Sequence, residues 1–316
     1  MKTKRAFFIV IALLVILDIA AAFWYIAGRL NSDDEASNPL NAEKMALRNE
    51  VADSTILGET VPDKFEITEK SQYFVSTSPV TVAKPRTHWT SIKRYKGRIP
   101  VSINGSEAIG DLLKEIEHRA FGLETGSIST CAATFLKTPR FNSNSPFDYK
   151  QVASEPHIAE VYGNVATIKI FPTFTSDYLL VMAIDKQNYD GYRHTEHMSF
   201  VIYNRKRHQV LNQSNIFNRE RNQQVLNLIN AHIDELNAAG SSVHLSHAGT
   251  LPREITLGRK GVLFVFDSGA IADSSEGIIN VFVSYAKLRS CFTQEFKAIV
   301  DSNNGFWDYE PVKFSD

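Results

Sequence analysis

The chain has 316 residues, with 34 Lys plus Arg against 35 Asp plus Glu and a formal net charge of −1. This balance excludes a general attraction to nucleic acid or to anionic lipid. An apolar share of 43% and an aromatic share of 11% exclude a disordered chain, and two cysteines are too few for a disulfide scaffold.

Lys2, Lys4 and Arg5 lead directly into an apolar stretch from Ala6 to Gly28. At 1.5 Å per residue this stretch is long enough to cross a bilayer as a helix. The cationic end stays in the cytoplasm, which predicts a short stub (1–5), an anchor (6–28) and a body on the far side. The reading is a single-pass protein of a bacterial inner membrane with its body in the periplasm, partnered by the membrane through that helix. Asp18 sits near the midpoint and costs about 2.5–3.5 kcal/mol, whereas the surrounding Phe, Ile, Leu and Val residues contribute about 4–8 kcal/mol in total. Insertion therefore stays favourable. In the alternative, the apolar core stops at Leu17 and Ala20-Ala21-Ala22 forms a cleavage site, giving a secreted periplasmic protein. The continuing run Phe23-Trp24-Tyr25-Ile26 looks like an interfacial aromatic belt and favours the anchor.

Residues 29–65 read as a polar, acidic linker, with a short helix around Ala42 to Ala52. Ordered structure is expected to begin between Phe65 and Phe74 and to form an N-terminal α+β part over 66–170. Within it, Ile109, Leu112, Leu113 and Ile116 mark a helix over Gly105 to Arg119, with Ser106 as N-cap and Phe121-Gly122 as its end. Val161 to Phe171, Tyr178 to Ile184 and Met198 to Tyr203 read as strands of an antiparallel meander. Arg205-Lys206-Arg207 then turns into His208–Leu211.

A second part spans 171–302, followed by a tail (303–316). It holds a helix from about Arg219 to Ala239, with Val225, Leu226, Leu228, Ile229, Ile233 and Leu236 inward and Gly240 at its C-terminal cap. Glu254 to Leu257, Val262 to Phe266 and Ile278 to Ser284 read as strands, and Tyr285 to Val300 as one closing helix with Leu288, Phe292, Phe296 and Ile299 inward. Strands and helices are segregated, so the class is α+β: antiparallel sheets packed against helices. Cys131 and Cys291 either pair in an oxidising compartment or serve as small buried hydrophobes.

The last third carries a resemblance. Glu254–Leu257, Lys260-Gly261-Val262-Leu263-Phe264-Val265-Phe266, Ile271-Ala272, Gly277 and Val281–Leu288 follow one order, preceded by Ile216-Phe217 and Gln224–Ile229. That order resembles domain-of-unknown-function family 3298, the extracytoplasmic RsiV-type domain, over about Phe171 to Val300. The family's Gly-Gly-x-His-Gly stretch is matched only in part by Asp190-Gly191-Tyr192-Arg193-His194, and its acidic Tyr-Glu-Ile-Ala stretch is Gly269-Ala270-Ile271-Ala272 here. The resemblance implies a secreted or anchored envelope protein whose domain is not established as an enzyme, with envelope glycans or proteins as its surroundings and candidate ligands. One branch of the family senses lysozyme and restrains a sigma factor through a cytoplasmic segment, a role that a five-residue stub does not support.

Two histidine pairs invite a metal reading. His194-Thr195-Glu196-His197 has a spacing of three at a strand entry, where the two rings point to opposite faces, unlike the helical His-Glu-x-x-His of zinc proteases. His244-Leu245-Ser246-His247 repeats the spacing in a loop. The expectation is no metal and no cofactor. No Gly-x-Ser-x-Gly elbow, Walker loop or dinucleotide fingerprint occurs, so no catalytic residue is assigned. Asp267, Asp273 and Glu276, on a polar hairpin end, are the candidate binding residues together with His194 and His197. Phe171-Pro172-Thr173-Phe174 reads as core or as an exposed aromatic patch. The function expected is a tethered interaction domain without catalysis, the alternative a hydrolase of envelope glycan or peptide.

Overall fold

Six consecutive apolar residues, Leu179 to Ile184, are all wholly buried, which places their strand in mid-sheet with both faces covered. A computed structural model shows how, describing residues 63–77, 89–139, 148–156, 163–190, 193–240 and 243–302. The expected anchor (6–28), the helix around Ala42 and the tail lie outside the described residues. Among those described, no helix is long and apolar enough to cross a membrane.

The main sheet has seven strands: β1 (Lys64–Ser76), β2 (Thr90–Ser102), β3 (Tyr149–Val152), β4 (Gly163–Thr175), β5 (Leu179–Tyr189), β6 (His194–Asn204) and β7 (Gln209–Leu211). Their order is β3-β1-β2-β4-β5-β6-β7. The expected antiparallel pairing holds with one exception, because β2 and β4 run parallel, Thr90 beside Gly163 through Gly97 beside Ile170. Parallel neighbours need a long crossover, and here it carries two helices, α1 (Gly110–Phe121) and α2 (Ile128–Lys137). A Cβ on Gly163 would lie 2.2 Å from Thr90 Oγ1 and 2.9 Å from its carbonyl oxygen, so only glycine lets these strands start together. Strand β4 runs unbroken across residues 170 and 171. Pro172 falls at a register shift in β4, beyond the last residue paired with β2, where its missing N–H costs no ladder bond.

Odd and even residues of β5 feed two cores. On one face Leu180, Met182 and Ile184 join Leu112, Ile116 and Ala120 of α1 and Ile128 and Ala132 of α2. Leu179, Val181 and Ala183 meet the other layer. That layer is a three-stranded antiparallel sheet of β8 (Glu254–Leu257), β9 (Gly261–Phe266) and β10 (Ile279–Ser284), in the order β10-β9-β8. With it pack α3 (Gln213–Ile216), α4 (Asn222–Ala238), α5 (Tyr285–Leu288) and α6 (Gln294–Ser302).

Local chemistry explains most boundaries. Helix α1 starts at Gly110, five residues later than the spacing suggests, with Ile109 as an N-cap that makes no side-chain bond. Ser106 instead accepts from the Ala108 N–H. Gly122 closes α1 with φ of 66°, a left-handed cap that suits glycine. The buried Glu117 carboxylate accepts N–H bonds from Thr125 and Gly126, both 2.9 Å, and so shapes the turn into α2. Helix α4 is preceded by a 3-10 turn over Arg219–Arg221.

The single closing helix expected over Tyr285 to Val300 is two helices. Backbone groups at the break leave the helical pattern to bond the segment before α4: Asn218 N–H to the Cys291 carbonyl at 2.9 Å, and Thr293 N–H to the Ile216 carbonyl at 2.9 Å. Leu288, Phe292, Phe296 and Ile299 are nevertheless all buried. The apolar spacing survived the break, which is why it concealed it.

Candidate functional site

Strand β6 is covered along only part of its outer edge. Strand β7 pairs with Ile202 to Asn204, and β8 then approaches at Phe200. Between them opens a cleft of about 430 Å³. Phe200 and Ile202 of β6, Leu211 of β7, Leu251 and Ile255 form its apolar part, while Asn212, Gln213, Ser214, Arg253, Glu254 and Arg119 supply the polar part.

Glu254 heads β8 and holds the cleft together. Arg119 Nη1 donates to both its carboxylate oxygens, at 3.0 and 2.9 Å, and the Phe200 N–H donates to Oε2 at 3.0 Å. Arg119 lies in the last turn of α1, on the other side of the main sheet, and its Nε donates to Glu115 at 2.6 Å. The Arg119 carbonyl accepts from Lys186 Nζ at 2.7 Å. Burial lowers the Lys186 pKa, and the nearby Glu254 charge opposes that shift. The Arg119–Glu254 pair therefore links the two layers around the edge of β6. On the opposite wall, the Gln213 amide donates to the Pro252 and Arg253 carbonyls, at 2.6 and 3.0 Å. Asn212 caps α3 through a reciprocal bond with Asn215. Arg119, Glu254 and Gln213 are thus each held by fixed partners.

Of the residues expected from sequence, His197 and Asp267 fall beside this edge of β6. His197 Nδ1 lies 3.4 Å from Asp267 Oδ1, both exposed, so the fold brings together two candidates 70 positions apart in the chain. His197 is three residues from Phe200 on β6, and Asp267 follows the last residue of β9. His194 is exposed at the start of β6. Asp273 caps a 3-10 turn over Ser274–Glu276, accepting from the Ser275 N–H and hydroxyl, and those bonds hold its pKa below the usual carboxylate range. Glu276 is exposed on that turn.

His247 pairs with Asp234 of α4 at 2.7 Å, so the two histidine pairs have different partners. Among the described residues, no group of three His, Cys, Asp or Glu side chains is placed to hold a metal ion. Cys131 and Cys291 are both free and buried. Cys131 lies on α2 beside the Thr125 hydroxyl, at 3.1 Å, and Cys291 lies in the other core, where burial raises its pKa. Phe171 and Phe174 pack against the C-terminal core. Sequence reasoning missed Arg119, Gln213 and Glu254. A basic residue in a last helical turn is unremarkable by itself, and nothing local ties positions 119 and 254 together.

No protein-family model matches the sequence, and no curated protein matches it at a significant level. Solved structures do. A DUF3298 family protein from Pseudomonas aeruginosa PAO1 is 11% identical, with a TM-score of 0.51 over 76% of this chain and 98% of that one. A member of the same family from Bacteroides fragilis NCTC 9343 is 14% identical, with a TM-score of 0.50 over 76% and 98%. At such identities the likeness is one of fold. It agrees with the resemblance to family 3298 carried by the last third of the sequence, and it extends well beyond Phe171 to Val300.

Proposed function

We propose that this chain is a membrane-tethered envelope protein whose extracytoplasmic domain binds an envelope glycan or peptide, without catalysis, in the cleft between β6, β7 and β8. The observation that carries the reading is the cleft itself. It is an open concavity in which several polar groups converge above buried apolar side chains, and a few convergent polar groups of this kind fix a ligand's orientation. Its carboxylate already accepts three hydrogen bonds from Arg119 and the Phe200 N–H, which favours recognition over proton transfer. The His197–Asp267 pair stands on the strand ends next to this edge and is proposed as an outer contact, with His194, Asp273 and Glu276 on the flanking surface.

The test uses the full chain in detergent micelles, titrated with soluble peptidoglycan fragments and with envelope peptides while binding and cleavage are followed together. Gln213→Ala should weaken a bound fragment at least tenfold while leaving the fold intact. Unchanged binding in that variant, or no binding by any fragment, would sink the proposal, and cleavage of a fragment would move the protein to the hydrolase class. N-terminal sequencing of the mature protein tests the tether: a start at Met1 supports an anchor, and a start after Ala22 means secretion.

A further inference from the structure

Strand β1 lies second from one edge of the main sheet, but its only outer neighbour among the described residues is the four-residue β3, which pairs with Tyr73 to Ser76. Residues 64–72 therefore present an open strand edge of nine residues. The most exposed large apolar side chain in the described structure, Ile67 at 71%, sits on it. Open edges of this length are templates for pairing with another strand.

We propose that this edge is a homodimer interface, with β1 of one copy pairing antiparallel to β1 of a second about a two-fold axis at Thr68. The extent of the open edge, its charges and its exposed Ile67 select that register, and the peptide directions allow it. Thr68 is the midpoint of the open edge, so residues 64–72 meet residues 72–64 of the second copy and stop short of β3. The peptide directions agree: the Ser76 N–H bonds Trp89 on the β2 side and the Thr77 N–H bonds Asp148 on the β3 side. By alternation, Phe65, Ile67, Glu69 and Ser71 direct their N–H and C=O groups outward, and a dyad at Thr68 sets Phe65 opposite Ser71 and Ile67 opposite Glu69.

The charges agree as well. Glu66 comes opposite Lys70 twice, in the closer, non-hydrogen-bonded kind of pair. A dyad at Ile67 would oppose Lys64 to Lys70, and a dyad at Glu69 would oppose that carboxylate to itself. At Thr68 the two Ile67 side chains also become diagonal neighbours on one face, which covers the exposed apolar surface. The result is an isologous contact that joins two seven-stranded sheets into one.

Single-cysteine variants of the full chain in detergent micelles test the register, since Cys131 and Cys291 are buried. Opposed Thr68 residues would have Cα atoms about 4.5 Å apart, within disulfide reach, so Thr68→Cys should cross-link on mild oxidation. Gln72→Cys residues would be about 27 Å apart and should not. Glu66→Lys and Lys70→Glu should each weaken the dimer at least tenfold by sedimentation equilibrium, and the two together should restore it. A monomer at all accessible concentrations overturns the proposal. So does a dimer indifferent to the charge reversals, or one in which Gln72→Cys cross-links as readily as Thr68→Cys.

Discussion

Asp63 is the first described residue, immediately before β1, and its carboxylate is buried against Arg205. The two side chains are 9% and 6% exposed. Asp63 Oδ1 accepts from Arg205 Nη2 at 2.7 Å and from the Asn104 N–H at 3.1 Å. The guanidinium also donates to Asn104 Oδ1 at 2.6 Å and to the Ser176 carbonyl. Asn104 has a φ of 50°, so these bonds also hold a left-handed residue in place. Asp63→Asn keeps the shape and removes the charge, leaving Arg205 ionised and buried. Breaking a buried pair from one side costs about 3–5 kcal/mol. The bonds to Ser176 and Asn104 survive, which argues for the lower end, about 3 kcal/mol. For a domain of this size each kcal/mol moves Tm by about 2–4 °C, so the midpoint should fall by about 6–12 °C. Far-UV circular dichroism of the full chain during heating measures it, and molar salt should change the difference little because the pair is shielded from solvent. A fall below about 1 kcal/mol, or one that salt abolishes, would mean that the pair behaves as a surface contact and that the reasoning is wrong.

Lys93 is buried in β2 with its ammonium 4.6 Å from the centre of the Phe135 ring, and burial lowers its pKa from 10.5 to about 8. Between those values the unfolded chain holds the extra proton, so stability should rise with pH from about 8, by up to about 3 kcal/mol. Above pH 10 the trend should reverse, because burial raises Tyr95 to about 12 and also raises Tyr285, so that the unfolded tyrosines release protons first. Lys93→Met should remove the rise and leave the reversal, as read from urea midpoints across pH 7–11; a rise that persists would assign it to another group. Phe292 is 6% exposed and lies 5.7 Å from the Phe217 ring and 5.0 Å from that of Phe296. Phe292→Ala should cost about 3–5 kcal/mol by urea unfolding, and a loss under 1 kcal/mol would mean that these rings repack freely.

Legibility followed the range of the interactions. The run Leu179–Ile184, the stripe of α4 and the strands β8, β9 and β10 were readable because period and run length carry them within a few turns of chain. The parallel β2–β4 pair was not, since its cause is a crossover of two helices, one of which, α2, left only a moderate apolar spacing. The break between α5 and α6 was hidden for the opposite reason: Leu288, Phe292 and Phe296 keep a spacing of four whether or not the backbone between them is helical. Strand β1 was missed because charged and apolar residues mix along an edge strand, as Lys64-Phe65-Glu66-Ile67-Thr68-Glu69-Lys70 shows. In the candidate site, His197 and Asp267 were singled out as chemistry-bearing types on loops and strand ends. Arg119 and Glu254 were not, because their meaning is a contact across 135 positions.

That contact also bears on the kind of chemistry the cleft supports. A general base needs an oxygen lone pair directed at substrate, and a general acid needs a proton to give. Both Glu254 oxygens face Arg119, and one of them also receives the Phe200 N–H. To act as a base this carboxylate would have to leave a guanidinium and uncap a strand edge, separating α1 from β8. Gln213 is likewise committed to two carbonyls, and an amide neither gives nor takes protons near neutrality. These groups therefore gain most by staying where they are. The Arg119–Glu254 contact fixes one wall of the cleft by tying α1 to β8.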